Sequence, residues 1–276
     1  GPQWWKMGRN LMETEPIFYQ SIKECNDLFE KISGWSILKE LQKSERVSKI
    51  KETHIAQPAN LAVQIALTRL LLHYGIAPDA VVGHSVGELA STYISGSLSL
   101  QEALLVCYHR SRLQYTTAGA GTMLAVGLSE NEVIEGLSEY EDVSIAAINS
   151  PNSVTLAGKK EILEELVIYY NSKGVFNRFL DVEIPYHSIM MEPIKDELLE
   201  SLKDLKGKVT SVDLYSTVTA DKISGEVISN EYWWKNVRES VQFAKTMDSL
   251  VRDNYNIFIE VGPHPVLKNS MKECLK

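Results

Sequence analysis

Apolar residues recur at helical spacing through the first part of the chain. Between residues 16 and 45 they fall every three or four positions and continue after Gly34, which predicts helices on both sides of that glycine. The stretch from Leu61 to Leu72 is almost wholly apolar, with Pro58 at the predicted helix start and Gly75 at its end. A helix of this composition must be buried. Polar interruptions leave its apolar run too short and too polar to span a bilayer, so we expect no transmembrane segment.

A short apolar run with strand character, residues 78–82, leads into Gly83-His84-Ser85-Val86-Gly87-Glu88 and then into a helical pattern from Leu89. Strand, tight turn and helix form the context in which the motif G-x-S-x-G exposes a serine hydroxyl. We expect the glycines to clear space for the backbone, and the turn to aim an N–H at a developing oxyanion. Ser85 is therefore predicted to be a nucleophile, with an ordinary turn as the alternative.

The period of the pattern changes between residues 122 and 188, where strands and helices alternate in the order βαββαβ. This order predicts a ferredoxin-like unit. The predicted elements are a strand from Met123 to Leu128, a helix from Glu130 to Tyr140, strands from Val143 to Ile148 and Val154 to Ala157, a helix from Lys159 to Lys173 and a strand from Val175 to Ile184.

Helical and strand patterns flank this unit, so it is predicted to be an insertion in a larger α/β body. After it we expect a helix from Glu192 to Leu205, a strand from Val212 to Val218, a helix from Tyr232 to Asn254 and a strand from Ile257 to Val261. This alternation predicts a mainly parallel sheet with flanking helices. The resulting domain prediction is a large subdomain of residues 1–121 and 190–276, a small subdomain of residues 122–189, and an active site in the cleft between them.

Composition and charge narrow the function classes. The 276 residues are 44% apolar and 23% charged, which is ordinary for a globular protein. The formal charge of -8 argues against an electrostatic grip on nucleic acid or on an anionic membrane, because both need a surplus of Lys and Arg. Cys25, Cys107 and Cys274 show no CxxC spacing. They suggest reduced thiols in a cytoplasmic protein and exclude a standard zinc ligand set, so no metal is predicted.

A serine nucleophile needs a base, and the chain has six histidines. His187 follows the last strand of the insertion, and a strand that returns to the main body can present a base to the cleft. His264 lies in a Gly-Pro-His-Pro turn, where structural and catalytic roles are both open. His84 adjoins Ser85, so its side chain is expected to turn away from the nucleophile. A core or edge position is expected for His73 and a surface position for His54, while the adjacent Arg110 disfavours a protonated imidazole at His109.

Arg110 and Arg112 follow the elbow on a predicted helix, roughly 200° apart around its axis, so only one can face a pocket. A buried arginine beside a serine nucleophile would select a substrate carboxylate, because guanidinium pairs with carboxylate through two hydrogen bonds. A solvated surface arginine is the ordinary alternative.

Seven motifs occur in order along essentially the whole chain. Together they resemble the acyltransferase domain of modular type I polyketide synthases, which is related to malonyl-CoA:acyl carrier protein transacylase. The motifs are Gln3-Trp4-Trp5-Lys6-Met7-Gly8-Arg9, Gln57-Pro58-Ala59, Gly83-His84-Ser85-Val86-Gly87-Glu88, Arg110-Ser111-Arg112, Tyr186-His187-Ser188 with Met191-Glu192-Pro193, Tyr232-Trp233-Trp234-Lys235-Asn236-Val237-Arg238 and Glu260-Val261-Gly262-Pro263-His264-Pro265.

The resemblance implies an α/β-hydrolase-like or patatin-like core and a Ser–His dyad that transfers an acyl group by a ping-pong mechanism. Ser85 would be the nucleophile and His187 the general base. Val86 would supply an oxyanion N–H, and Arg110 would hold the free carboxylate of the acyl group. The residues implied to line the site or orient the base are Gln57, Asn236, His84 and Tyr186, with Asn236 placed to orient the histidine.

The implied reaction loads a malonyl-type extender from CoA onto the phosphopantetheine thiol of an acyl carrier protein, with no cofactor bound by this domain. Partners would be the carrier protein and the neighbouring ketosynthase and linker domains. In this family a bulky residue before the base accompanies malonyl choice, so Tyr186 favours malonyl-CoA, with methylmalonyl-CoA as the alternative. A serine acyl hydrolase or editing thioesterase with the same elbow, and a catalytically idle docking domain, are the competing functions.

One departure from the family pattern concerns the start of the chain. The family usually begins Gly-Gln-Gly-x-Gln, and its first glutamine helps to form the oxyanion hole. Gln3 matches the second glutamine of that pattern. We expect the parent protein to contain the first one.

Overall fold

A computed structural model describes residues 1–137, 140 and 142–276. The α-helices of this described part are α1 (Arg9–Thr14), α2 (Pro16–Ser33), α3 (Ile37–Gln42), α4 (Thr53–His73), α5 (Glu88–Ile94), α6 (Leu100–Tyr115), α7 (Glu130–Gly136), α8 (Lys160–Ser172), α9 (Lys195–Ser201), α10 (Asn230–Arg238), α11 (Phe243–Arg252) and α12 (Lys268–Cys274). The β-strands are β1 (Ala80–Val82), β2 (Thr122–Val126), β3 (Ser144–Ser150), β4 (Ser153–Gly158), β5 (Asn177–Phe179), β6 (Asp213–Ser216) and β7 (Asp221–Ile223). Of the helix predicted for residues 130–140, residues 138 and 139 lie outside the described residues.

The long helices α2, α4 and α6 pack against one another and supply much of the main core. Helix α2 is stopped by Gly34, whose φ of 78° is left-handed and suits a residue without a side chain. Helix α4 begins at Thr53, so Pro58 lies inside the helix and not at the predicted start. Helix α4 is also long and apolar enough to cross a membrane, contrary to the prediction, but 67% of its apolar window is buried in the structure. Its burial therefore identifies it as a core helix.

The described residues form two small sheets. In the first, β1 pairs with β6 in parallel, and β7 is antiparallel to β6. The second has the strand order β3-β4-β2-β5, with antiparallel pairing throughout. Its strands and the helices α7 and α8 follow the predicted order βαββαβ. A parallel bridge from Ala147 in β3 to Val241 connects this sheet to the chain just before α11.

The predicted mainly parallel sheet is not found in the described residues, where parallel strand pairing is limited to β1 with β6. Residues 257–261, predicted as a strand, run without ladder partners, and Ile257 is 83% exposed. The strand predicted from Val175 to Ile184 is reduced to β5, although the N–H of Leu180 still donates to the carbonyl oxygen of Met123 in β2. An apolar pattern predicts extended backbone, whereas a strand also needs a neighbour with free hydrogen-bonding groups.

The helix predicted from Tyr232 to Asn254 is broken into α10 and α11. Glu239 ends α10 in an extended conformation, and Val241 forms the bridge to Ala147. The helix predicted from Glu192 to Leu205 is likewise replaced by a 3₁₀ turn followed by the shorter α9.

The buried apolar residues form separate clusters. The largest comes from α2, α4, α6 and the segments around α9 and α10. A second lies between the antiparallel sheet and helices α7 and α8. All three cysteines are free, and Cys25 and Cys107 are buried in the main cluster.

Candidate active site

The turn between β1 and α5 presents Ser85 in a strained conformation. Ser85 has a φ of 55°, in the left-handed region that non-glycine residues rarely adopt. A Cβ on Gly83 would lie 2.2 Å from the backbone N of Glu88, so only glycine fits there. Gly87 is different, since a Cβ there would meet only the Gln64 amide, at 4.0 Å. The predicted need for glycine therefore holds for the first glycine of the motif and not for the second.

Ser85 and His187 form a hydrogen-bonded pair. The Ser85 Oγ lies 2.7 Å from the His187 Nε2, and the His187 Nδ1 lies 2.9 Å from the carbonyl oxygen of Glu239. A carbonyl oxygen only accepts, so Nδ1 carries the proton and Nε2 is free to accept one from Ser85. The broken helix between α10 and α11 supplies that carbonyl. His187 is thus oriented by the main chain of residue 239 and not, as the resemblance implied, by Asn236.

The surroundings of His187 keep its imidazole neutral. The side chain is buried, with 4% exposure. Burial lowers the pKa of His187 to about 3, and the nearby Arg110 guanidinium acts in the same direction. A neutral imidazole whose free nitrogen faces a serine hydroxyl is ready to act as a base.

Arg110 is buried beside the dyad and donates hydrogen bonds to four neutral oxygens. Its Nη2 donates to Ser85 Oγ (3.0 Å) and its Nε to Asn236 Oδ1 (3.2 Å). Its Nη1 donates to Gln57 Oε1 (2.8 Å) and Gln114 Oε1 (3.0 Å). Among the described residues no carboxylate lies in ion-pair contact with Arg110. Burial lowers the pKa of Arg110 to about 10, which still leaves the guanidinium charged at neutral pH.

Arg112 lies on the other side of α6, as the predicted angle between the two arginines requires. Its Nη1 donates to Glu197 Oε1 at 2.7 Å, near the surface. Both arginines belong to α6, the second helix after the elbow, since α5 ends at Ile94.

Gln114 was not predicted, although it follows Arg110 by one helical turn. Its Oε1 accepts from Gln57 Nε2 at 2.8 Å and from Arg110 Nη1, and these two donors fix the orientation of the amide. The side chain is fully buried, and its Nε2 has no hydrogen-bond partner among the described residues. An i, i+4 position on the arginine face of α6 was the sequence signal for this residue.

Asn236 joins the nucleophile to a buried carboxylate. Its Nδ2 donates to the carbonyl oxygen of Ser85 (3.2 Å) and to Glu88 Oε2 (3.0 Å). Its Oδ1 faces Arg110, as described above. Glu88 is 1% exposed, and sequence analysis gave it no role beyond its place in the elbow motif.

The remaining predicted residues surround this centre. His84 turns away from Ser85 and contacts Asn149 Oδ1 through Nε2 (2.8 Å), so it links the elbow to strand β3. The Tyr186 hydroxyl lies 2.5 Å from Thr53 Oγ1 at the start of α4. Val86 lies in the 3₁₀ turn before α5 and packs against the main core. His264 is exposed in its turn, so the structure brings His187 and not His264 to Ser85.

Comparison with known proteins relates the chain to acyltransferase domains and polyketide synthases. A family model described as an acyl transferase domain matches residues 1–276. The chain is 34% identical over 277 residues to erythronolide synthase EryA2 of Saccharopolyspora erythraea, covering 100% of this chain and 8% of that protein. The chain thus spans only a small part of the length of this curated relative.

Solved structures share the fold over nearly the whole chain. The acyltransferase domain from module 8 of the salinomycin polyketide synthase matches with a TM-score of 0.96 at 31% identity, covering 99% of this chain and 65% of that one. A loading acyltransferase from the avermectin modular polyketide synthase matches with a TM-score of 0.95 at 30% identity, covering 99% of this chain and 88% of that one.

Proposed function

Because the chain belongs to the acyl transferase domain family of polyketide synthases, we propose that it moves a malonyl-type acyl group from CoA to the phosphopantetheine thiol of an acyl carrier protein. One observation carries this proposal. The Ser85 Oγ contacts both the neutral His187 Nε2 and the Arg110 guanidinium. A nucleophile, its base and a cation for the acyl group thus meet at one oxygen atom.

In the first half-reaction, His187 Nε2 takes the Ser85 proton as Oγ attacks the thioester carbonyl carbon. The N–H of Val86 is proposed to stabilise the oxyanion. The carbon–sulfur bond then breaks, the CoA sulfur takes the proton from the imidazolium, and an acyl-Ser85 ester remains.

The second half-reaction runs the same steps with a different thiol. His187 takes the proton of the phosphopantetheine thiol as its sulfur attacks the ester carbonyl. The bond to Ser85 Oγ breaks, and Oγ recovers the proton from the imidazolium. The hydrogen bond from His187 Nδ1 to the carbonyl oxygen of Glu239 holds Nε2 in place for both proton transfers.

The preference for a dicarboxylic acyl group rests on Arg110 and Gln114. A buried cation surrounded by neutral oxygens is favourable for an incoming carboxylate, which pairs with guanidinium through two hydrogen bonds. The unpartnered Gln114 Nε2 is a second buried donor next to that cation. Leaving such a donor unpaired costs about 1–3 kcal/mol, so an acceptor on the substrate would relieve it.

The choice of extender is proposed from Tyr186. Tyr186 directly precedes the base His187 in the chain, and its hydroxyl is hydrogen-bonded to Thr53. A fixed, bulky ring leaves less room for a branch methyl, so malonyl-CoA is favoured and methylmalonyl-CoA is the alternative. One methyl group contributes only about 1–3 kcal/mol to such discrimination.

Partners and domain organisation are part of the same proposal. The relatives are long, modular synthases, which supports a carrier protein, a ketosynthase and linker regions as neighbours of this domain. The division into residues 1–121 with 190–276 and residues 122–189 is supported by the separate apolar clusters. Ala244 joins the second cluster from the larger part, so the two parts pack together.

The experiment that tests the function uses the chain acylated by malonyl-CoA and then mixed with a phosphopantetheinylated carrier protein. Transfer of the acyl group to the carrier protein, faster than its release as free malonate, is the expected result. Rapid release of malonate whether or not carrier protein is present would identify a hydrolase. The carrier protein without its phosphopantetheine arm is the control, since it offers no thiol.

A further inference from the structure

The elbow carries a buried carboxylate that the proposed chemistry does not use. Glu88 is the first residue of α5 and is 1% exposed. Its Oε1 accepts from the backbone N of Thr217 (2.6 Å) and from Thr217 Oγ1 (2.8 Å). Its Oε2 accepts from the Tyr232 hydroxyl (2.7 Å) and from Asn236 Nδ2 (3.0 Å). Burial raises the pKa of this carboxyl, and the hydrogen bonds from Tyr232, Thr217 and Asn236 act in the opposite direction.

Two acceptors, Glu88 Oε2 and the carbonyl oxygen of Ser85, decide which way the Asn236 amide faces. An amide presents NH₂ on one side and oxygen on the other. Because the carboxylate only accepts, the NH₂ must face Glu88, and the Oδ1 then faces the Nε of Arg110. The same NH₂ also donates to the carbonyl oxygen of Ser85.

We infer that Glu88 is a positioning residue for Arg110: it orients the Asn236 amide, and through that amide it holds the guanidinium toward Ser85. The Glu88 carboxylate also places a negative charge near the guanidinium, with the Asn236 side chain between the two. A carboxylate in direct contact with Arg110 would compete with the substrate for its N–H groups. Placed behind Asn236, Glu88 balances the buried charge and leaves those groups available. This inference rests on the proposed function, because it concerns carboxylate-bearing acyl groups.

The substitution Glu88→Gln tests the inference with little change in size. The backbone N–H of Thr217 can only donate, so the oxygen of the new amide must stay on that side and its NH₂ must face Asn236. Asn236 then either keeps its NH₂ against the NH₂ of residue 88 or turns its oxygen away from Arg110 and loses its hydrogen bond to the Ser85 carbonyl. Both outcomes weaken its contact with the guanidinium. We expect the rate of Ser85 malonylation to fall about tenfold or more, the effect of losing a hydrogen bond to a charged group. Acetylation from acetyl-CoA, which brings no carboxylate, should change far less.

A charge swap provides the second test. In Glu88→Gln/Asn236→Asp, the new carboxylate at 236 accepts from the amide at 88 and from Arg110 Nε, which restores the orientation. In Asn236→Asp alone, two carboxylates face each other in a buried site. Both the double variant and Asn236→Asp place a carboxylate on Arg110, but only Asn236→Asp has two carboxylates facing each other. The double variant should therefore malonylate Ser85 faster than Asn236→Asp. If Glu88→Gln does not fold, the comparison of the double variant with Asn236→Asp decides alone.

The control is Glu40→Gln. Glu40 is also a buried carboxylate, with 3% exposure, and it accepts from the backbone N of Lys49 outside the site. It should leave the ratio of malonyl to acetyl loading at the wild-type value. Equal losses for both acyl groups in Glu88→Gln, or a double variant no faster than Asn236→Asp, would overturn the inference while wild-type loading still supports the function. Failure of the wild-type chain to acylate Ser85 would overturn both.

Discussion

The Ser85 Oγ and the His187 Nε2 lie 2.7 Å apart, although 102 residues separate them in the chain. Both residues have a left-handed backbone, with φ of 55° at Ser85 and 56° at His187. Such strain in non-glycine residues persists only where the surroundings enforce it. At Ser85 the enforcing elements are β1 and α5, and at His187 they include the carbonyl of Glu239. Five non-glycine residues of the described part have a positive φ, and two of them are the residues that exchange a proton in the proposed reaction.

The low pKa of His187 predicts how loading and stability depend on pH. Burial lowers this pKa from 6.5 to about 3, so the base stays neutral well below pH 6.5. Malonylation of Ser85 should therefore keep its rate down to about pH 5, with no loss centred near 6.5. The unfolded chain binds a proton at His187 that the folded chain does not, so this residue lowers the free energy of unfolding as pH falls below 6.5. Rapid-quench loading and urea unfolding across this range test both; an acid limb centred near 6.5 would contradict the account.

Arg110→Ala tests the carboxylate clamp. It removes the guanidinium and should lower kcat/KM for malonyl-CoA by about 100-fold, the effect of truncating a buried charge pair, while acetyl-CoA is relatively favoured. Arg110→Lys keeps a positive charge but loses the planar guanidinium. Its kcat/KM for malonyl-CoA should lie between those of the wild type and Arg110→Ala. Thermal unfolding identifies variants that lose the fold, because three buried side-chain amides lose their donor. Unchanged malonyl kinetics in a folded Arg110→Ala protein would exclude the clamp.

Gln114→Glu tests the second donor without changing size. The new carboxylate still accepts from Gln57 and Arg110, but an oxygen replaces the unpartnered NH₂ and its charge repels an incoming carboxylate. Malonyl loading should fall about tenfold, the loss typical of a hydrogen bond to a charged group, and acetyl loading should change less. Gln101→Glu, on the exposed face of the same helix, is the matched control. Equal rates of malonyl loading in the two variants would exclude Gln114 as a donor to the substrate carboxylate.

The two glycines of the elbow are predicted to differ. Gly83→Ala places a Cβ 2.2 Å from the backbone of Glu88 and should destabilise the fold by about 2 kcal/mol. Gly87→Ala meets no backbone, and its φ of -63° is helical, so it should stabilise the fold by about 0.5 kcal/mol. Urea unfolding of both variants measures the difference. Equal stabilities would mean that the elbow relaxes around residue 83.

Tyr186→Ala tests the extender choice. Removing the ring should raise the ratio of methylmalonyl to malonyl loading by about tenfold, within the range expected for one methyl group. Tyr186→Phe keeps the ring and loses only the bond to Thr53, so its ratio should stay near the wild-type value. Competition between the two CoA thioesters, read as the ratio of adducts on Ser85, gives the answer. A ratio unaffected by Tyr186→Ala would place the extender choice elsewhere.

Sequence patterns predicted the elements whose signal is local. The elbow at Ser85, the two faces of the helix that holds Arg110 and Arg112, and the βαββαβ order all follow from spacing along the chain. Which histidine serves as base did not, since spacing left His187 and His264 open until the resemblance favoured His187. Contact with Ser85 depends on how distant segments pack.

The remaining parts of the site depend on contacts that leave little trace in a sequence. The break between α10 and α11 contains no glycine or proline, yet it frees the Glu239 carbonyl that orients His187. Main-chain groups carry no side-chain signature. Glu88 and Gln114 are ordinary polar residues in helices, and only their burial beside Asn236 and Arg110 sets them apart.

The most direct test of the account is the intact mass of the chain after mixing with malonyl-CoA, methylmalonyl-CoA and acetyl-CoA in separate reactions, with Ser85→Ala as the control. We predict a single covalent malonyl adduct that maps to Ser85, less methylmalonyl and acetyl adduct, and no adduct on Ser85→Ala. An unmodified chain with all three thioesters, or a malonyl adduct that persists in Ser85→Ala, would contradict it.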